Sequence, residues 1–228
     1  MYICGLQKTT LLDYPGKVAC TVFLGGCNFR CPFCQNSEIL SAASPAAYTE
    51  EELFAFLQKR RGILEGVCVS GGEPLLHEEA EGLLKKIKAF GYCVKVDTNG
   101  SFPARLKKLC AAGLVDFVAM DIKNSPAKYA QTCGATVELA AVRESAAFLL
   151  AGGIEYEFRT TVADELHTEE DMEEIGAWLA GAKRFYLQNF RDAETVLCPG
   201  LHPCSEKKLQ AFRAVLRRTI PEAKIRGE

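Results

Sequence analysis

Three cysteines, Cys27, Cys31 and Cys34, are spaced C-x3-C-x2-C and follow an apolar run at residues 18–24. Thiolates this close together are ligands for soft metal centres, and cysteine ligation is the common way of holding an iron–sulfur cluster. Three local ligands would leave one iron of a four-iron cluster without a protein ligand. An open coordination position is where a metal centre can do chemistry, so the spacing favours a catalytic metal site.

Two other interpretations of these cysteines are open from the residues alone. The clustering could be coincidental in a chain with 11 cysteines, or the loop could hold a structural zinc ion with a distant fourth ligand such as Cys20 or Cys4. A disulfide framework is disfavoured, because the number is odd. Most of the other eight cysteines also lie singly in apolar segments, as buried reduced thiols do.

Length and composition predict one domain over residues 1–228, with a core at about 16–190 and a C-terminal helical extension at 191–228. The net charge of -2 gives no reason to expect nucleic-acid binding. No run of 18 apolar residues occurs, and residues 1–17 hold neither a long apolar stretch nor a small-residue cleavage site. We therefore expect no membrane span and a cytoplasmic location.

Short β-rich runs alternate with amphipathic helices along the chain. Strands are predicted at residues 18–24, 66–70, 92–97, 114–120, 154–162 and 184–190, with an edge strand at 1–8. Helices are predicted after the capping box Thr49-x-x-Glu52, around 83–90, at 103–112 and 137–151, after Thr168-x-x-Asp171, and at 205–218; residues 41–47 form a small-residue connector.

This alternation predicts an α/β fold with a parallel sheet and right-handed crossovers. Six β–α units are too few for a closed eight-stranded barrel, so we predict a partial (β/α)6 barrel. A doubly wound open sheet is the alternative.

Active sites of parallel α/β folds form at the C-terminal ends of the strands, and polar or metal-binding groups end all six predicted strands. In strand order these groups are the three cysteines, residues 70–74, 97–100 and 121–123, then Glu157, Arg159, Thr160 and Thr161, and finally residues 188–190.

Gly71, Gly72 and Glu73 combine flexible main chain with a carboxylate. The glycines would let a ligand approach the main chain, and Glu73 could bind an ammonium group. A plain tight turn leading into a helix is the alternative.

Asp97, Thr98 and Asp121 offer oxygen ligands from adjacent strands, and Lys123 could pair with a carboxylate. The alternatives are an Asx-type turn at Asp97 and a solvated surface pair of Asp121 with Lys123.

Arg159 lies in an apolar strand, where burial requires a partner. We expect contact with a cofactor or substrate, and the alternative is an ion pair with Glu157 or a neighbouring strand. Gln188 and Phe190 could bracket an aromatic ring of a ligand by hydrogen bonding and stacking, unless Phe190 belongs to the core. Asn36, just after the cysteine loop, is a weaker candidate for contact with the ligand.

Two further features of the sequence give weaker evidence of a functional site. Cys198, His202 and Cys204 could hold a second metal, although a loop with incidental thiols is the simpler interpretation. His77 and His167 lie near predicted helix starts, so we expect both at the surface. No nucleophile–histidine–carboxylate arrangement supports hydrolase chemistry.

The C-x3-C-x2-C motif, with Phe33 before its last cysteine, resembles the signature of radical S-adenosylmethionine enzymes. More narrowly, the opening Leu-Leu-Asp-Tyr-Pro-Gly-Lys at residues 11–17, followed by Gly-Gly-Cys-Asn-Phe-Arg-Cys at 25–31, is similar to activating proteins of anaerobic ribonucleoside-triphosphate reductase. The resemblance covers nearly the whole chain and thins after about Phe190.

The resemblance implies a radical S-adenosylmethionine fold and a [4Fe–4S] cluster on Cys27, Cys31 and Cys34. It also implies that S-adenosylmethionine chelates the open iron and that the Gly71–Gly72–Glu73 motif holds its amino group. Gln188 and Phe190 could then bracket its adenine. The aspartates at 97 and 121 would bind a monovalent cation, and Lys123 would meet the cofactor's carboxylate.

The implied activity is reductive cleavage of S-adenosylmethionine to a 5′-deoxyadenosyl radical, which abstracts hydrogen from a glycine of a partner protein. The expected partners are anaerobic ribonucleotide reductase and an electron donor such as flavodoxin or ferredoxin. Two alternatives stay open, namely a radical enzyme acting on a small molecule or peptide, and a non-catalytic iron–sulfur or zinc module.

Overall fold

The computed structural model describes residues 2–41 and 44–227. Within these residues the chain forms eight strands and seven α-helices. The strands are β1 (Ile3–Thr10), β2 (Ala19–Leu24), β3 (Gly66–Gly71), β4 (Cys93–Thr98), β5 (Phe117–Asp121), β6 (Glu155–Val162), β7 (Phe185–Asn189) and β8 (Ala223–Ile225). The helices are α1 (Glu50–Lys59), α2 (Ala80–Ala89), α3 (Pro103–Ala111), α4 (Tyr129–Cys133), α5 (Leu139–Leu150), α6 (Glu169–Trp178) and α7 (Glu206–Leu216).

The eight strands follow one another in a single sheet in chain order, with β1 and β8 as its end members. Strand β1 is antiparallel to β2, with Ile3 opposite Leu24. The series β2–β3–β4 is parallel, and so is β6–β7–β8. The predicted α/β class, the parallel-dominated sheet and the edge strand at the N-terminus are confirmed.

Local sequence signals account for most element boundaries. Thr49 caps α1 and Thr168 caps α6, each in a complete capping box with the residue three positions on. Strand β5 begins at Phe117 rather than at 114, and α5 begins at Leu139 rather than at 137. Of the predicted connector, Ala42 and Ala43 lie outside the described residues, as do Met1 and Glu228.

Two elements were not expected from the sequence. Helix α4 has five residues and β8 has three, which is too short for hydrophobic periodicity to reveal. The predicted C-terminal extension is therefore not purely helical, because it contains β8 as well as α7. The described residues hold no helix long and apolar enough to cross a bilayer.

The chain divides into two compact units that are discontinuous in sequence. Unit 1 comprises residues 1–28, 38–98 and 102–118, and unit 2 comprises residues 29–37, 99–101 and 119–228. In unit 1, buried strand residues such as Val69 and Val94 and buried helix residues such as Leu57 form the core. In unit 2 the core includes Phe158 of β6 and Phe212 of α7. The single-domain assignment stays a prediction.

Candidate active site

In unit 1 the chain after β2 packs against the chain after β3. The Gly72 N–H donates to the Leu24 carbonyl at 2.8 Å. A Cβ at Gly72 would overlap the Gly26 carbonyl and lie 3.2 Å from the Cβ of Cys27, and one at Gly71, whose φ is 119°, would overlap the main chain of Leu24. Both glycines are therefore required where the loop of Cys27 meets the end of β3.

Glu73 is fully buried at this junction. Its Oε1 accepts hydrogen bonds from the Leu75 N–H at 2.9 Å and the Thr98 hydroxyl at 2.8 Å. Its own N–H donates to the Gly26 carbonyl at 2.8 Å. The structure thus joins the predicted site residues Glu73 and Thr98, from the ends of β3 and β4. Binding of an ammonium group by Glu73 stays a prediction.

Asp97 is held by two side chains. Lys95 forms an ion pair with its Oδ1, and the Ser70 hydroxyl donates to its Oδ2 at 3.1 Å. The Lys95 side chain is only 1% exposed. Sequence reasoning missed Lys95, although a lysine inside an apolar strand, two residues before an aspartate on the same face, is a usable signal.

In unit 2, Asp121 receives two cations. Arg159 Nε donates to its Oδ1 at 2.8 Å and Lys123 Nζ to its Oδ2 at 3.0 Å. The Lys123 side chain is 15% exposed, so this is not the solvated surface pair considered above. Arg159 forms the ion pair with a neighbouring strand that was its alternative role, while Glu157 pairs with Arg226 at 2.7 Å.

These charges shift the pKa values in opposite directions. Burial raises the pKa of Asp121, but the charges of Arg159 and Lys123 outweigh it and hold the pKa below its usual range. Burial lowers the pKa of Lys123, yet Asp121 and Cys31 raise it by more. Lys123 is therefore a permanent cation at neutral pH, which suits a residue predicted to meet a carboxylate.

Cys31, also in unit 2, has thiolate character. A hydrogen bond with the Cys133 thiol lowers the pKa of Cys31, burial opposes this, and the charge of Lys123 helps, so that the pKa falls to about 7. Burial instead raises the pKa of Cys34. Lys123 Nζ also lies 5.9 Å from the ring centre of Phe33. A thiol poised near its pKa at neutral pH is suited to metal ligation.

A segment after β7, residues 191–198, is hydrogen-bonded to the cysteine loop within unit 2. We call this segment the strap. Two bonds are main-chain bonds, from Leu197 N–H to the Cys34 carbonyl at 3.1 Å and from Cys198 N–H to the Pro32 carbonyl at 3.0 Å. The other two run from Gln35 Nε2 to the Arg191 carbonyl at 2.8 Å and from the Ser37 hydroxyl to the Thr195 carbonyl at 2.5 Å.

For the remaining predicted site residues the structure shows how far each side chain is buried. Phe190 is 1% exposed, as its core alternative requires, and Gln188 is half-buried on β7. Asn36 is half-buried in the cysteine loop. Their roles at an adenine ring or at the cofactor stay predictions.

The surface position expected for His167 is wrong. His167 is fully buried, with Nε2 3.0 Å from the Lys123 carbonyl, and His77 is half-buried. His202 is exposed and its Nδ1 contacts Glu165 at 2.5 Å. Among residues 2–41 and 44–227 there is no group of three or more His, Cys, Asp or Glu side chains placed to share a metal ion. The support for an iron–sulfur cluster on Cys27, Cys31 and Cys34 is therefore the thiol chemistry of these residues and their spacing in the sequence.

All 11 cysteines lie in the described residues and are reduced thiols. Three of them, Cys27, Cys31 and Cys34, follow β2 in the sequence, and Cys31 has thiolate character. The model of the radical SAM superfamily matches residues 21–179, and the chain belongs to that superfamily. The family uses a [4Fe–4S] cluster and S-adenosylmethionine, and the required cysteines are present.

Individual proteins of known sequence or structure are also similar to this chain. A protein of Methanocaldococcus jannaschii with the provisional name glycyl-radical enzyme activating enzyme is 27% identical over 98% of this chain and 95% of its own length. A 7-carboxy-7-deazaguanine synthase of Halobacterium salinarum is 37% identical, over 40% of this chain and 36% of its own. A domain of pyruvate-formate lyase-activating enzyme from Bacteroides vulgatus shares the fold, with a TM-score of 0.58 at 20% identity over 71% of this chain and 99% of that one.

Proposed function

We propose that this chain is a glycyl-radical activating enzyme whose substrate is a glycine residue of a partner protein, namely an anaerobic ribonucleotide reductase. The observation that carries the proposal is the similarity to the M. jannaschii protein, which extends over nearly the full length of both chains. The resemblance of residues 11–17 and 25–31 to ribonucleotide reductase activating proteins supports the choice of partner.

We propose Cys27, Cys31 and Cys34 as the ligands of the [4Fe–4S] cluster. When bound, the cluster and S-adenosylmethionine supply the electron and the 5′-deoxyadenosyl group that hydrogen abstraction requires. The chain itself contributes the lowered pKa of Cys31 and the glycine packing that seats Cys27.

The cofactor's charged groups would meet residues of opposite charge. We propose that Glu73, with Gly71 and Gly72 beside it, binds the amino group, and that Lys123 binds the carboxylate. The support for Glu73 is its burial beside the loop of Cys27, where a carboxylate attracts an ammonium group strongly. Lys123 carries a charge that Asp121 stabilises.

The roles proposed for the other site residues follow from the resemblance to radical S-adenosylmethionine enzymes. Asp97, Thr98 and Asp121 would supply oxygen ligands to a monovalent cation, and Arg159 would hold Asp121 while facing the cofactor. Phe33, Gln188 and Phe190 would contact the adenosyl moiety. The electron donor would be a flavodoxin or ferredoxin, and 11 reduced cysteines fit a reducing cytoplasm.

The proposal is tested by electron paramagnetic resonance on the partner. Anaerobically reconstituted protein, S-adenosylmethionine, dithionite and the reductase from the same organism should yield a glycyl-radical signal and an equivalent amount of 5′-deoxyadenosine. Cys27→Ala, Cys31→Ala and Cys34→Ala should each abolish both products, whereas Cys110→Ala, on α3, should retain them. Cofactor cleavage that persists in the Cys27→Ala variant would contradict the assignment of ligands.

A second candidate function is a radical reaction on a small-molecule substrate. Its support is the similarity to 7-carboxy-7-deazaguanine synthase, whose name specifies a small-molecule product. In that case a small-molecule extract, rather than the reductase, would stimulate 5′-deoxyadenosine formation. A comparison of the two additions at equal enzyme concentration separates the two functions.

A further inference from the structure

Three successive carbonyl groups in unit 1 lead into Cys27, and each accepts a hydrogen bond from the segment that follows β3. The bonds are Gly72 N–H to Leu24 at 2.8 Å, His77 Nε2 to Gly25 at 2.6 Å, and Glu73 N–H to Gly26 at 2.8 Å. The first and third come from the main chain. The middle one depends on the side chain of His77.

The N–H groups of the same loop are held from another direction. Gly25 donates to the Tyr2 carbonyl at 2.9 Å, Gly26 to the Ile39 carbonyl at 2.7 Å and Cys27 to the Leu40 carbonyl at 3.1 Å. The peptide groups before Cys27 are thus restrained on their donor and acceptor sides alike.

Such restraint has a physical reason at this position. Gly25 and Gly26 are consecutive glycines, and Gly26 has a φ of 91°, so the free chain here would sample many conformations. Cys27 is the next residue, and the direction of its thiol depends on the orientation of the preceding peptide planes. A bond to the Gly25 carbonyl removes one rotation that glycine would otherwise permit.

His77 is itself fixed where this bond requires it. It ends the short 3-10 helix Pro74–Leu76, and its own N–H donates to the Pro74 carbonyl. Because the Gly25 carbonyl can only accept, Nε2 must carry a proton.

We propose that His77 is a positioning residue for Cys27, a role that rests on the proposed assignment of Cys27 as a cluster ligand. Its Nε2–H fixes the Gly25 carbonyl and thereby aims the thiol of Cys27. His77 does not touch the cluster or S-adenosylmethionine in this role. It acts through the main chain of residues 25–27.

Two amide variants test the bond itself. His77→Gln places an N–H donor close to the position of Nε2, whereas His77→Asn has a shorter side chain whose amide does not reach it. Hydrogen–deuterium exchange of the apo protein, read at the amides of residues 25–28, should be about fivefold faster in His77→Asn and within about twofold of wild type in His77→Gln. The same order should appear in the rate at which a chelator removes iron from the reconstituted protein.

Equal amide exchange in wild type and His77→Asn would overturn the proposal. Equally accelerated exchange in His77→Asn and His77→Gln would also overturn it, because packing of the ring rather than the hydrogen bond would then be the cause.

A measurement on the wild-type protein tests the bond even if His77→Asn does not fold. Nitrogen-15 spectra of the apo protein at pH 8 should show His77 as the Nε2–H tautomer with a slowly exchanging ring proton. The Nδ1–H tautomer would contradict the bond.

Discussion

At Gly72 the chain after β3 passes close to the Gly26 carbonyl, which directly precedes Cys27. We predict that Gly72→Ala lowers the free energy of unfolding by about 1–3 kcal/mol, because its Cβ would overlap the Gly26 carbonyl. The reconstituted variant should also bind less iron. Urea unfolding and iron analysis measure the two effects.

Gly82→Ala is the matched control. Gly82 lies on the exposed face of α2 with open space around it, and alanine there should stabilise the helix by about 0.5–1 kcal/mol. If both variants behaved alike, the contact at Gly72 would not control the loop.

Asp121 predicts a dependence of stability on pH. Its folded-state pKa is depressed, so its carboxylate stabilises the fold above the unfolded pKa near 4 and ceases to do so as pH falls through the folded value. Asp121→Asn should lower the free energy of unfolding by about 2 kcal/mol at pH 7. The difference from wild type should shrink below about pH 4, as measured by urea unfolding at pH 7 and pH 3.

Glu155→Gln supplies the comparison, because Glu155 forms an exposed pair with Arg184 and should change stability by less than about 1 kcal/mol. A difference between Asp121→Asn and wild type that stays constant from pH 7 to pH 3 would show that the carboxylate's charge is not the cause.

At the scale of residues, the sequence predicts which groups stand at the strand ends but not their partners. Cys27, Glu73 and Asp121 are recognisable from spacing and residue type. That Thr98 bonds Glu73, or that Arg159 turns to Asp121, depends on strand register, which a single sequence does not encode locally. The burial of His167 was not predicted, because burial of a polar ring depends on hydrogen-bond partners that are distant in the chain.

Among the elements, the strap makes a prediction about the cysteine loop. Ser37→Ala removes the hydroxyl that bonds the Thr195 carbonyl, and it should raise amide exchange at Leu197 and Cys198 about fivefold. Ser37→Thr keeps the hydroxyl and should exchange like wild type. Exchange that is unchanged in Ser37→Ala would mean that this bond does not hold the strap.

Elements with local signals were predictable, and those without were not. The capping boxes at Thr49 and Thr168 place α1 and α6 within a residue of their observed starts, because capping is a local interaction. The strap has no such signal, since its bonds join residues 32–37 to residues 191–198. Strand β8 depends on pairing with β7 rather than on its own three residues.

For the whole molecule, alternating periodicity was sufficient to predict the α/β class and the parallel strands. The six predicted β–α units supply β2 to β7, and the antiparallel β1 was predicted separately as an edge strand, so among the described residues only the three-residue β8 was not predicted. The cysteine spacing and the match to the radical SAM superfamily agree on the chemistry. The identity of the substrate is the part that neither strand order nor spacing determines.

Transfer of hydrogen from a glycine to the cofactor is the most direct test of that identity. Anaerobic ribonucleotide reductase labelled with dideuterated glycine should be mixed with the reconstituted protein, S-adenosylmethionine and dithionite, and the 5′-deoxyadenosine analysed by mass spectrometry. We predict that one deuterium appears in 5′-deoxyadenosine, together with a glycyl radical on the reductase. Unlabelled 5′-deoxyadenosine with no radical on the reductase would contradict it.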